Sequence, residues 1–131
     1  MSKSNSAIHV KSYAMALAVV KLVKAIRAKH REYDLTKQLI RSGTNPGAMV
    51  MEAYAGESKK DFLHKLKVGR KEAKETEFWL RLLGDSDFFI GVNPHDAVNY
   101  TQETIRLLTS IINKTEANLK KNGNGKVISD K

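Results

Sequence analysis

The chain has 131 residues, 41% of them hydrophobic, which is enough for one domain with a modest core and too few for two. It contains no cysteine, so disulfides and thiolate metal sites are both excluded and a reducing compartment fits. The net charge of +9 is lopsided: residues 1–74 carry 16 Lys+Arg against 6 Asp+Glu, whereas residues 75–131 carry 7 against 8. The first half therefore attracts polyanions, nucleic acid above all, unless its basic helices are simply solvated faces.

Residues 1–6 hold one lysine and no apolar run, and no stretch approaches the roughly 18 apolar residues of a membrane span. No membrane partner is expected, and the cytoplasm is the expected compartment. Two glycosylation-type triplets, at Asn99 and Asn113, fall inside predicted helix and are set aside.

Residues 7–30 contain neither Gly nor Pro, and Met15, Val19, Leu22 and Ile26 recur along one helical face. Tyr13, Leu17 and Val20 form a second apolar strip on nearly the opposite side. One bundle interior does not accommodate both, so the strip calls for a partner surface.

A second helix is predicted over residues 33–55, with Asp34 as N-cap and Leu35, Leu39, Ser42, Pro46, Met49 and Ala53 on one face. Gly43, Pro46 and Gly47 weaken its centre, proline by about 3 kcal/mol, which predicts a kink or break near Asn45. The same small residues would also let another backbone approach closely. Arg41 and Glu52 flank this centre eleven residues apart, about three turns, and suit ion pairs with other helices if the helix is continuous.

The third helix starts at Ser58, whose spacing to Asp61 resembles a capping box, and stops at Gly84. Phe62, Leu66, Gly69, Ala73, Thr76, Leu80 and Leu83 alternate spacings of four and three, a seam that packs helices at shallow angles. Phe88, Phe89 and Ile90 in the following loop read as a plug for the bundle end. Asn93-Pro94 opens a fourth helix in which Val98, Thr101, Ile105, Leu108, Ile112, Thr115 and Leu119 repeat the spacing. The fold class is thus all-α, an antiparallel up-down four-helix bundle over residues 1–121, with a Gly- and Asn-rich disordered tail at 122–131.

No catalytic centre is expected. Di-iron bundles need Glu-x-x-His on two helices, and only Asp61-Phe62-Leu63-His64 comes near, once and among lysines. The chain has no Gly-x-Ser-x-Gly elbow and no phosphate-cradling Gly-x-x-x-x-Gly-Lys. Neither a metal nor a cofactor is implied. Glu72, Glu75 and Glu77 share a helix with Lys71, Lys74 and Arg81, where ion pairing accounts for them.

The candidate phosphate contacts are Lys21, Lys24, Arg27, Arg31, Lys37 and Arg41 on the first two helices and Lys67, Arg70, Lys71 and Lys74 on the third, within a wider basic set that includes Lys59, Lys60 and Lys65. With 7% aromatics, stacking on single strands has little support and binding should be driven by the backbone. The rival readings are a scaffold for an acidic protein partner and, more remotely, a small enzyme.

Lys37 to Thr44, Gly47-Ala48, Val50, Glu52-Ala53, Ser58 to Phe62 and Glu72 to Leu80 together resemble the four-helix-bundle family first recognised in intervening sequences of bacterial 23S ribosomal RNA genes. With the flanking helices the likeness covers most of residues 10–119. It implies a ring-like homopentamer without enzymatic activity. It extends to accessory proteins of diversity-generating retroelements, which implies nucleic acid and a reverse transcriptase as partners. Asn45-Pro46 and Met49 stand where the family usually has Ser-Ile and Asn. A closed ring needs a head-to-tail contact between two different patches, so the strip of Tyr13, Leu17 and Val20 is expected to meet a neighbour's surface around Asn45, Pro46 and Gly47.

Overall fold

The computed structural model describes residues 6–130, with side chains as far as residue 122. Four helices, α1 (Ala7–His30), α2 (Asp34–Ala55), α3 (Lys59–Asp85) and α4 (His95–Asp130), make an all-α bundle. The expected tail at 122–131 falls almost wholly on residues whose side chains lie outside those described. Each helix packs on the helices next to it in sequence, and α4 closes the square against α1. No helix among the described residues is long and apolar enough to cross a membrane.

Local chemistry fixes the ends. Arg31 takes a left-handed conformation (φ 54°) and its N–H bonds Arg27 O, closing α1. The N-cap expected of Asp34 is supplied instead by Glu32, whose carboxylate accepts from the N–H groups of Asp34, Leu35 and Thr36 at 2.9, 2.8 and 2.8 Å. The longer side chain reaches back over three orphan donors, which Asp34 inside the first turn does not. Ser58 Oγ accepts from Asp61 N at 3.0 Å as the spacing predicts, and Asn93 Oδ1 accepts from His95 N at 2.9 Å.

The predicted break in α2 does not occur. The helix runs unbroken with Pro46 inside it, because its centre is held on two sides. Pro46 is buried against Gly69 of α3, Gly43 against Val19 of α1, and Gly47 lies over the Ser12 carbonyl. Packing of this extent outweighs the intrinsic cost of one proline, about 3 kcal/mol.

The core has two apolar ends and, between them, a waist of mostly small or hydroxylic residues that also holds fully buried Met15. One cluster gathers Val19, Leu22, Val23, Ile26, Leu39, Leu80, Leu83 and Ala97; the other gathers Ile8, Val50, Ala53, Leu66, Leu108 and Ile112. Along each chain segment between them lie buried small or hydroxylic residues: Ser12, Ser42, Gly43, Gly69, Ala73, Thr76, Thr101 and Thr104. Thr76 donates to Ser42 Oγ at 3.0 Å across the α2–α3 contact. Phe88 and Phe89 pack on the first cluster and close that end, whereas Ile90 points outward. His30 Nε2 donates to Ile90 O at 2.8 Å, tying this loop to α1.

Candidate nucleic-acid interface

Some of the predicted phosphate contacts are already engaged within the chain. Arg41 bridges to Glu72 Oε1 at 3.2 Å and to Glu75, and Glu75 also accepts from Trp79 Nε1 at 3.2 Å. Eleven residues on, Glu52 pairs with Lys65 at 2.9 Å, and that hydrogen bond holds the Lys65 ammonium above the ordinary lysine range. The two pairs have opposite polarity and pin α2 antiparallel to α3, the structural role foreseen for Arg41 and Glu52. Arg27 Nε donates to Thr36 Oγ1 at 3.0 Å while its guanidinium lies 5.5 Å from the Tyr33 ring centre. Lys67 pairs with Glu116 at 2.6 Å, and Arg70 reaches Thr109 at 3.5 Å.

Lys21, Lys24, Arg31, Lys37, Lys71 and Lys74 are exposed and make no ion pair among the described residues. They do not form one patch. α1 and α3 occupy opposite corners of the square, so Lys21 and Lys24 face away from Lys71 and Lys74.

The best-organised part lies on α3. Lys60, His64, Lys67, Lys71, Lys74, Phe78 and Arg81 are all exposed and recur at spacings of four and three, on the face opposite the buried seam of Leu66, Gly69, Ala73, Thr76, Leu80 and Leu83. This outer line runs about 32 Å along the helix. It contains no carboxylate until Asp85. Sequence reasoning collected these lysines as a set but missed the line and the places of His64 and Phe78 in it. A second four-three register on the same helix was the available signal.

Among the described residues a hydroxyl meets an imidazole at Ser6 Oγ and His9 Nδ1, 2.8 Å apart across one turn at the start of α1. The His9 ring lies against Tyr54 at 4.5 Å. No group of three or more His, Cys, Asp or Glu side chains is placed to hold a metal ion among the described residues.

The apolar strip of α1 is outward-facing, with Tyr13 69% and Leu17 44% exposed and Val20 half-buried. Tyr13 lines a shallow groove of about 460 Å³ between α1 and α2, together with Val10, Ala48 and Met51. Gly47 lies in this same groove, and Pro46 is buried. Asn45 is half-buried. Gly47 is therefore no second, separate patch: it shares the face of Tyr13 because it packs on Ser12 of the same chain.

Comparison with known proteins agrees with this architecture. No curated protein matches the chain. A solved structure from Bacteroides thetaiotaomicron, a protein of unknown function from the S23 ribosomal protein family, is 36% identical and superposes with a TM-score of 0.73 over 80% of this chain and 97% of that one. The 23S rRNA-intervening sequence protein family matches residues 4–114, and the chain belongs to that family.

Proposed function

We propose that the protein is a non-enzymatic, self-associating bundle that holds nucleic acid, structured RNA or an RNA–DNA intermediate, by its phosphate backbone. The single observation that carries the reading is the outer line of α3, where Lys60, Lys67, Lys71, Lys74 and Arg81 share one exposed face and Lys71 and Lys74 make no ion pair among the described residues. Phosphate contacts of this kind give affinity without base preference. A ring of five, the number the family resemblance implies, would repeat the line around one axis and make weak contacts multivalent. A reverse transcriptase as partner, or a role tied to an intervening sequence in ribosomal RNA, fits the same family.

The test is a salt series of fluorescence anisotropy with a 20-base-pair RNA duplex and its DNA counterpart. The slope of log K against log salt on DNA should be about −0.9 per phosphate neutralised. Absence of binding at low salt overturns the proposal.

A further inference from the structure

We propose that the groove between α3 and α4 beside Phe78 receives an unpaired nucleobase from a strand whose phosphates lie on the lysine line. This rests on the nucleic-acid reading above and names the part of the ligand that the line alone does not.

Phe78 is 57% exposed and stands at the edge of a groove, where its ring is open to a ligand. It is braced rather than loose, meeting Trp79 edge-on at 5.1 Å, while Trp79 is itself held by Glu75. Phe78 continues the register of Lys71 and Lys74, one turn or about 6 Å beyond the last lysine. Behind it opens a groove of about 630 Å³, within the range of small-ligand sites. Its apolar walls include Leu80, Phe89 and Val98. Gly84 lets Phe89 lie against α3, since a Cβ there would stand 3.2 Å from two ring carbons.

The charge pattern selects the occupant. Phosphate is favoured along the lysines but less so at the groove, where Arg81 is paired with Asp85 at 3.8 Å, Glu77 adds a second carboxylate, and the carbonyl end of α3 lies beside Asp85. A neutral planar group is favoured there instead. The ring face of Phe78 stacks it, and Glu77 and Gln102 can accept hydrogen bonds from exocyclic amino groups. A chain that is anionic along the line and flat, apolar and hydrogen-bonding at its end is a nucleic-acid strand with an unpaired base. A hydrophobic peptide would leave the lysines without counter-charge.

Anisotropy with two probes tests this, a blunt 20-base-pair RNA duplex and the same duplex with a five-nucleotide 3′ overhang. The overhang should bind about tenfold tighter, the size of one good base–aromatic stack. Phe78→Ala should abolish that difference while leaving blunt-duplex affinity and helix content unchanged, and Phe78→Trp should retain it. Lys71→Gln with Lys74→Gln should weaken both probes equally. If both probes bind alike, or Phe78→Ala keeps the preference, the base site is wrong and the phosphate reading stands. If neither probe binds, both readings fall. If Phe78→Ala lowers the oligomeric mass in light scattering, the groove belongs to a second copy and the base site is refuted.

Discussion

Gly43 lies so close to Val19 that a Cβ at position 43 would stand 2.7 Å from Val19 Cγ1 and 3.0 Å from its Cβ. Here α1 and α2 approach closely near the centre of α2, and both residues are buried. Gly43→Ala should gain helix propensity of roughly 1 kcal/mol and lose more to overpacking, because the β-branched valine has one strongly preferred rotamer in a helix and leaves it only at a cost. The expected net loss is about 1–3 kcal/mol. Denaturant unfolding checks it, and in a Val19→Ala background the cost should shrink; equal costs in both backgrounds would show that the contact is not responsible.

Gly69 gives a graded version of the same test. A Cβ there meets Met49 Cβ at 3.3 Å and the Pro46 backbone at 3.7 Å, which is tight but not prohibitive. Gly69→Ala should be close to neutral, and Gly69→Leu should destabilise by about 1–3 kcal/mol. A raised melting temperature for the leucine variant would mean that α3 is less closely packed than these distances state.

These glycines also show what was legible in the sequence. The four-three seams of α1 and α3 could be read directly, because a buried helical face obliges apolar and small residues to recur at that period. Pro46 was misread, since local propensity counts its cost but not the contacts with Gly69 that hold α2 together. On α4 the same period was read, yet the buried positions include Ala97 and Thr104, whereas Val98 and Ile105 are only half-buried. A threonine looks like surface when judged one residue at a time. The outer line of α3 escaped for the complementary reason: periodicity was sought in apolar residues, whereas there it is carried by lysines.

Thr104 is fully buried, and its Oγ1 has no hydrogen-bond partner among the described residues. An unsatisfied buried hydroxyl costs about 1–3 kcal/mol, and valine has nearly the same shape without it. Thr104→Val should therefore raise stability by about 1 kcal/mol, read as a higher unfolding midpoint in urea. A lower midpoint would show that the hydroxyl is satisfied, for instance by a buried water.

Arg41 belongs to the bundle more than to a phosphate surface. It remains 52% exposed, so its pairs with Glu72 and Glu75 should contribute only up to about 1 kcal/mol. Arg41→Ala is expected to lower stability by that much and to leave duplex affinity unchanged, because two carboxylates already neutralise the cation. Compared side by side with Lys71→Gln/Lys74→Gln, an equal loss of binding would place Arg41 in the interface after all.

Self-association is the last prediction, and it has a physical basis apart from the family. The single interior of the four helices is filled by the two apolar clusters and their waist, yet Val10, Tyr13, Leu17 and Met51 remain exposed on the α1–α2 face. A contiguous strip of that kind on a small basic protein is association-prone unless covered. Because Gly47 lies in the same groove, the complementary half of a head-to-tail contact has to come from another part of the neighbour; if the face instead meets itself, the product is a two-fold dimer. Tyr13→Glu with Leu17→Glu changes only exposed side chains and leaves half-buried Val20 in place, so the variant should be a folded monomer with full helical signal. It should also bind duplex more weakly than the parent, since an assembly presents several lysine lines at once. Light scattering decides between the cases. A mass near that of one 14.7 kDa chain across micromolar concentrations rejects self-association, a stable dimer rejects the ring alone, and a mass of five chains supports the pentamer.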